Sequence, residues 1–565
     1  MTKHLRRVIA VLAMAAFALP LTLRAQNSGF GFGPQPLSPG NLLVSRSVYD
    51  NQASNVTVGE ALPPGCIATN VAAGSCVTAA YNGTYPYIFN NAPVDGSFGI
   101  TSRIYIDQIT PWGWPVSTIE VPNSLERGIS SASNQLVTSF SSKSELALNL
   151  SLDRRYVTFI GYVAPVNAID ASNSNTPGAV DPTNPVGENF YRAVAQMDRW
   201  GNFTFTETNA YSGNNGRASI LNNVGGTDLY YTAGNAGNGS NPQPANVVLG
   251  AGAQLITPST EPEADQSPDL PTPLGTFSVT QLGDKADKVG KDDNFRGLTV
   301  YNNVVYYTKG SGGNGVNTVY FVDTTGTACP NGTGVPWPSA TLPTAPFSAY
   351  NPATGTPNNM CVLNGFPTLS NKNGTPVNYP FGIWFASPTT LYVADEGDGS
   401  TSGVGDAFYQ HAAAQTNAGL EKWSFNSTTG TWSMDYVLTN GLDLGTPYTV
   451  PGYPRGLNIG SADSDNPDGL PWSPATDGLR NITGRVNPDG TVTIWAITST
   501  VSGAGDTGAD PNKLVVITDK LGAKTAAEVT NEKFFTLRTA GFGEVLRGVS
   551  FTPGTNERGF GVPGW

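Results

Sequence analysis

One phrase recurs at long intervals along this chain and limits what the chain can fold into. An Arg-Gly or small-residue start leads into a short apolar strand, then a second strand rich in Tyr and Val, then a glycine-rich polar loop. The phrase reads Arg296-Gly297-Leu298-Thr299-Val300, then Val304-Val305-Tyr306-Tyr307-Thr308, then Lys309-Gly310-Ser311-Gly312-Gly313. It returns as Phe381-Gly382-Ile383-Trp384-Phe385, Leu391-Tyr392-Val393-Ala394 and Asp395-Glu396-Gly397-Asp398-Gly399. A third copy runs from Arg217-Ala218-Ser219-Ile220 through Asp228-Leu229-Tyr230-Tyr231-Thr232 to a loop carrying Asn235 and Asn238, and weaker copies begin near Glu145, Leu479 and Arg547. Strand pairs repeated in this way, with almost no helical periodicity between them, point to a radially repeated all-β architecture.

The starts are spaced by roughly 70 to 100 residues, against about 40 to 50 in common propeller repeats. The expectation is therefore a six- or seven-bladed β-propeller with long loop insertions. Arg455-Gly456-Leu457 also matches the start signal and would open the seventh blade. The last start, Leu546-Arg547-Gly548-Val549, has almost no chain after it, while the apolar segments 41–49, 103–109 and 116–121 have no inner strand of their own. The two ends are expected to pair in one blade and close the ring, which removes exposed sheet edges. The stretches 242–273 and 326–380, rich in Pro, Gly and Asn, read as loops inserted into blades. Segments 406–415 and 526–533 are the best helical candidates.

The first 25 residues have the layout of a secretory signal peptide: Lys3, His4, Arg6 and Arg7, an apolar run over 8–21, and a small residue at Ala25. Residues 26–565 then form one propeller domain, in a secreted, periplasmic or extracellular setting. No later segment approaches the roughly 20 apolar residues needed to span a bilayer. The formal net charge is −12, and loss of the leader makes it more negative, so nucleic acid is not expected as a partner. Four cysteines in an exported chain favour disulfides over metal thiolates. Cys66 with Cys76 and Cys329 with Cys361 are the expected pairs, although three connectivities are possible.

The phrases Leu391-Tyr392-Val393-Ala394-Asp395 and Gly419-Leu420-Glu421-Lys422-Trp423 resemble those of the secreted propellers grouped as NHL-, YVTN- and SMP-30-like proteins. The resemblance implies the fold and transfers no activity, because that fold hosts binding proteins, scaffolds and hydrolases alike. Lactonases of the SMP-30 type hold a divalent metal on carboxylates and amides of inner strands. Glu145, Asn149, Asn294 and Asn481 supply those residue types here without reproducing the motif, and none is assigned a catalytic role.

In a four-stranded blade, the loop entering the innermost strand and the loop after the second strand lie on one face. Arg217, Arg296, Arg455 and Arg547 stand at inner-strand starts, while Asp395, Glu396 and Asp398, and Asp506 and Asp510, follow second strands. They are expected to converge around one mouth of the central channel. There the arginines either tie blades together or bind an anion, since guanidinium presents a planar donor fork to carboxylate and phosphate. Asp395, Glu396, Asp398, Asp506 and Asp510 are candidate ligands for calcium or another divalent metal, with a second acidic run at Asp463, Asp465 and Asp468. His411 is the single histidine after the leader, which excludes multi-histidine zinc sites. Trp112 and Trp114, in an apparent loop, suit a sugar face, whereas Trp384, Trp423 and Trp495 are expected between blades.

These features favour an exported propeller that binds a carbohydrate, a small anionic ligand or a cell-surface protein. The alternatives are a metal-dependent lactonase or other hydrolase with its site in the channel, and a structural subunit of an extracellular or envelope assembly.

Overall fold

A computed structural model describes residues 36–49, 100–122, 136–140, 142, 144–169, 171–177, 188–235, 252–258, 273–275, 294–310, 316–329, 332–336, 340–344, 360–369, 378–399, 418–450, 474–501 and 511–556. In chain order the strands are β1 (Leu42–Val48), β2 (Thr101–Ile109), β3 (Pro115–Glu120), β4 (Thr138–Ser139), β5 (Asn149–Leu150), β6 (Tyr156–Tyr162), β7 (Arg192–Asp198), β8 (Phe203–Thr208) and β9 (Gly216–Asn222). They continue as β10 (Leu229–Gly234), β11 (Ala253–Ile256), β12 (Pro273–Gly275), β13 (Leu298–Tyr301), β14 (Val304–Lys309), β15 (Thr318–Val322), β16 (Thr333–Gly334), β17 (Met360–Leu363) and β18 (Pro380–Ser387). The rest are β19 (Thr390–Asp395), β20 (Leu420–Asn426), β21 (Thr431–Leu438), β22 (Ala475–Val486), β23 (Thr491–Val501), β24 (Lys513–Lys520), β25 (Phe535–Thr539) and β26 (Glu544–Phe551).

These strands make six sheets, ordered from the centre outward as β5-β6-β7-β8, β9-β10-β11-β12, β13-β14-β15-β17 with β16 parallel at its edge, β18-β19-β20-β21, β22-β23-β24-β25, and β26-β1-β2-β3. The first strand of each sheet meets the first strands of the sheets on either side: β9 meets β5 and β13, β18 meets β13 and β22, and β26 meets β22 and β5. The circuit closes as a six-bladed propeller. All six expected inner-strand starts lie in or just before these first strands. Arg455 lies outside the described residues, and the circuit closes without a seventh blade.

Closure joins the two ends of the chain as expected. β1 pairs antiparallel with β26 in the register Leu42↔Phe551, Leu43↔Ser550 and Val44↔Val549, so the N-terminal strands supply all but the C-terminal inner strand of this five-stranded sheet, in which β4 also pairs with β2. Charge reinforces the seam. Arg46 on β1 binds Asp107 on β2 at 2.8 Å and Glu544 on β26 at 2.6 Å, and Asp107 also binds Arg538 of the neighbouring blade at 2.7 Å.

The glycine of the repeated phrase has a steric cause. A Cβ on Gly297 would lie 1.9 Å from the Phe381 carbonyl oxygen, on Gly382 2.3 Å from that of Arg480, and on Gly548 2.4 Å from that of Leu146. Each is the backbone of the next blade's inner strand or its entry. Near the axis successive blades touch backbone to backbone, and a side chain pointing sideways has no room. Hydroxyls then tie the approach: Ser45 Oγ donates to Leu146 O at 2.7 Å, Thr158 Oγ1 to Ser219 O at 2.7 Å, and Thr308 Oγ1 to Phe381 O.

Farther out, aromatic rings fill the widening wedge between blades. Trp423 stacks on Phe366 of the preceding blade with centroids 3.9 Å apart, and Trp495 meets Phe551 of the next blade edge-on at 5.4 Å. Trp384 lies against Gly484 of the next blade, so the three tryptophans expected between blades are there. Lys422 on β20 and Asp519 on β24 form a fully buried interblade ion pair that the repeat does not announce. Lys422 Nζ donates to Asp519 at 2.9 Å, to the Tyr436 hydroxyl at 2.9 Å and to Lys520 O at 2.8 Å, while the Tyr436 hydroxyl donates to Asp519 at 2.7 Å and the Tyr392 hydroxyl also binds this carboxylate.

Two stretches read from sequence as loops contain blade strands: β11 lies within 242–273 and β17 within 326–380. Both are short apolar runs among Gly, Pro and Asn, and their flanks hide them. Cys329 and Cys361 form a disulfide with Cα atoms 5.7 Å apart, fastening the segment after β15 to β17. Cys66, Cys76, the leader and segment 406–415 lie outside the described residues, and 526–533 carries a single 3-10 turn, Ala526–Glu528. No helix among the described residues is long and apolar enough to cross a membrane.

Two outcomes follow from this packing. Gly297→Ala is expected to lower stability by about 3 kcal/mol or more, since the obstructing atom is backbone. Gly522→Ala, whose Cβ would meet nothing within 4 Å, should stay within about 0.5 kcal/mol of the parent in chemical denaturation. Lys422→Met leaves Asp519 buried without its ion-pair partner, and a loss of about 3–5 kcal/mol is expected; a smaller change than 1 kcal/mol would show that the pair does not hold its two blades.

Candidate functional site

The arginines of the repeat converge at the inner strands, joined by one the repeat did not flag. Arg217, Arg296, Arg480 and Arg547 are all buried. Their partners come largely from other blades. Arg547 donates to the carbonyls of Phe140 and Ser142, which precede β5, and to Ser47 Oγ at 3.2 Å. Glu396, just after β19, stands between Arg296 of the blade before and Arg480 of the blade after, at 3.9 and 3.6 Å. Arg480 belongs to Gly478-Leu479-Arg480, where the arginine follows the glycine instead of preceding it, and this reversed order is the signal that was available.

Arg217 differs from the others. Its Nη1 donates to Asn294 Oδ1 and, at 2.7 Å, to Phe295 O, but its Nε has no hydrogen-bond partner and the side chain makes no ion pair among the described residues. Burial disfavours its charge most, and the positive charge of Arg296 comes next; Glu396, Tyr162 and Glu145 offset this from a distance. Glu145 is itself occupied. It accepts from Thr138 Oγ1 at 2.6 Å, from Ser139 N at 3.0 Å, from Asn215 Nδ2 at 3.4 Å and from the Tyr162 hydroxyl. A neighbouring amide oxygen, Asn215 Oδ1, also has no partner. The centre therefore holds a desolvated guanidinium whose strongest charged neighbour is another guanidinium, an arrangement that costs free energy.

The acidic loop after β19 is divided by function. Asp395 accepts from Gly397 N at 2.9 Å and Tyr379 N at 3.1 Å, so it shapes its own turn. Glu396 faces the arginines, and the Tyr379 phenol is raised first by burial and then by Asp398, Asp395 and Asp477. Among the described residues no group of three or more His, Cys, Asp or Glu is arranged to hold a metal ion. Asp506, Asp510, Asp463, Asp465, Asp468, Arg455 and His411 lie outside the described residues.

Beside this loop lies a pair that the sequence did not disclose. Asp395 and Glu421 are both buried and both pushed above the usual carboxylate range, Asp395 to about 8 by burial and then by the charge of Glu421, and Glu421 to about 7 by burial. Glu421 accepts from Asn378 Nδ2 at 3.2 Å and from Trp423 Nε1 at 2.8 Å. Folding here retains protons that the unfolded chain releases. The stability linked to these groups is complete below about pH 4 and is lost as pH rises through the folded values to about 8. Glu421→Gln is neutral throughout, and the Asn378 amide can rotate to accept from it. The fall in melting temperature between pH 5 and 8 should become shallower in this variant; Glu532, raised to about 8 beside Asp519, keeps some slope of the same sign. An unchanged slope would remove the pair from the pH response.

No family model matches the chain, and no curated relative matches it. Among solved structures, a candidate 6-phosphogluconolactonase from Bacteroides fragilis is similar at 10% identity and a TM-score of 0.28, covering 91% of this chain and 98% of that one. A Trp149Ala mutant of the Synechocystis apocarotenoid oxygenase is similar at 9% identity and a TM-score of 0.28, covering 92% of this chain and 94% of that one. A chimera of that oxygenase with RPE65 reaches 9% identity and a TM-score of 0.26 over 79% of this chain and 70% of that one. Likeness at this level carries no argument about chemistry. The propeller expected from the repeat and from the NHL-, YVTN- and SMP-30-like resemblance is present, and that class itself is matched by no family model.

Proposed function

We propose that this protein is an exported propeller that binds a small carboxylate- or phosphate-bearing ligand at the centre of its ring, without turning it over. One observation carries the reading: Arg217 is buried, lacks a carboxylate partner among the described residues and leaves its Nε without an acceptor. An uncompensated buried charge costs several kcal/mol, and an anion bridging Arg217 and the neighbouring Arg296 would recover much of that cost through charge-assisted hydrogen bonds. The leader pattern and the Cys329–Cys361 disulfide support export. Binding is favoured over hydrolysis because Glu145, Asp395 and Glu396 are already engaged by donors of the fold, leaving none of them poised as a base.

Thermal melts in sulfate, phosphate, citrate and glucuronate, at ionic strength matched with sodium chloride, test this directly. At least one anion is expected to raise the melting temperature specifically, by the equivalent of about 2.7 kcal/mol at 100 times its dissociation constant. Arg217→Gln lowers the baseline by removing the bonds to Asn294 and Phe295, so the readout is the increment that the anion adds, which should vanish. An increment equal to that of chloride, or one that survives Arg217→Gln, would reject the site.

A further inference from the structure

Away from the central arginines, the turn between β2 and β3 presents two tryptophans to solvent, Trp112 at 77% and Trp114 at 71% exposure. Large aromatic side chains are normally among the most covered in a protein, and here two stand at one tip, Thr110-Pro111-Trp112-Gly113-Trp114-Pro115. We propose that this turn is a carbohydrate-binding site, specifically for an uncharged polysaccharide, on the outer rim of the propeller. The proposal is independent of the central anion site.

The turn is built to hold its rings still. Thr110 N donates to Trp114 O at 2.8 Å, Gly113 N to Thr110 O at 2.9 Å, and Trp114 N to Thr110 Oγ1 at 3.1 Å. Gly113 takes a φ of +89°, which a glycine adopts without strain. From behind, the buried Trp495 donates its indole N–H to Pro111 O at 2.9 Å, and a Cβ on Gly113 would lie 3.1 Å from Leu537 of the adjoining blade. β3 and β25 are the outermost strands of their sheets, so the tip spans the rim between two blades. A rigid turn presents its aromatic faces at low entropic cost.

The chemistry around the rings selects the occupant. Residues 110–118 carry no charge, and the side chains that follow the tryptophans on β3 are the exposed Val116, Ser117 and Thr118, the last donating its hydroxyl to Asp107 at 2.7 Å. Flat rings flanked by neutral hydroxyls match the apolar C–H faces and hydroxyl rims of sugars. Within the tip Thr110 N, Gly113 N and Trp114 N are already bonded and Pro111 and Pro115 have no N–H, which leaves little of the tip's backbone for an added strand. The two indoles offer roughly 300–500 Å², below the approximately 800 Å² per partner of a stable protein interface. An anionic membrane surface is drawn to basic clusters, and none lies in this segment.

Native gels cast with laminarin, xylan, hydroxyethylcellulose or glycol chitin test the proposal, with the purified full chain as the probe. Wild type should be retarded by at least one of these polymers. Trp112→Ala and Trp114→Ala should each weaken retardation about tenfold, the ratio given by about 1.4 kcal/mol, and the double variant should abolish it with an unchanged thermal melt, because both side chains are solvent-exposed. No retardation in any of the four gels overturns the proposal, as does retardation that survives the double variant. Tryptophan-dependent sedimentation with phosphatidylcholine–phosphatidylglycerol vesicles, or tryptophan-dependent dimerisation by light scattering, in place of gel retardation would assign the turn to a membrane or to a second copy and overturn it equally.

Discussion

Backbone contact at the axis is the constraint on which the rest of this structure depends. Six short strands can surround a common centre only if adjacent inner strands approach without side chains between them, and Gly297, Gly382 and Gly548 remove the Cβ where the next blade's carbonyl lies. Once this approach is fixed, the wedge between blades opens with distance from the axis. Small residues and hydroxyls fill the narrow part, and Trp423, Trp495 and Trp384 fill the wide part. The radial gradient in residue size follows from the geometry of the ring and needs no separate cause.

Close backbone approach also creates a polar problem. Carbonyls and carboxylates near the axis leave water, and each needs a donor that reaches across from another blade. Arginine suits this role because its several donors can reach backbone oxygens some distance from its own strand. Arg547 does this with Phe140 and Ser142, while Glu396 accepts the reverse role by sitting between Arg296 and Arg480. Repeating an arginine at the start of an inner strand is thus first a way to satisfy a dry seam. Against that background Arg217 is conspicuous, since its carbonyl partners are of the same kind but its Nε is left over.

The parts legible in the sequence are those imposed by repetition. The Arg-Gly phrase located the inner strands, and the lack of chain after Arg547 located the closing blade, because a ring must end beside its beginning. The long stretches hid β11 and β17, whose few apolar residues fall below what a periodic pattern can register among Gly and Pro. Pairings set by blade-to-blade contact were not visible at all. Lys422 and Asp519 stand 97 residues apart on strands of adjacent sheets, and nothing in the local sequence of either forecasts the other. Arg480 shows the same limit in smaller form: its trio has the right members in a different order.

The same logic separates binding from turnover. A catalytic carboxyl must exchange its proton with a substrate, so one of its oxygens must remain open to that substrate. Asp395 and Glu421 have the raised proton affinity such a group requires, yet their oxygens accept from Gly397 N, Tyr379 N, Asn378 and Trp423, all donors of the fold. A proton held there is enclosed by donors of the fold and links stability to pH. Glu145 is enclosed in the same manner by Thr138, Ser139, Tyr162 and Asn215. Among the described residues, Asp395, Glu421 and Glu145 thus accept from the fold, whereas Arg217 Nε has no hydrogen-bond acceptor. That contrast between bonded carboxyls and an unbonded guanidinium Nε is the ground on which anion binding is proposed for the centre.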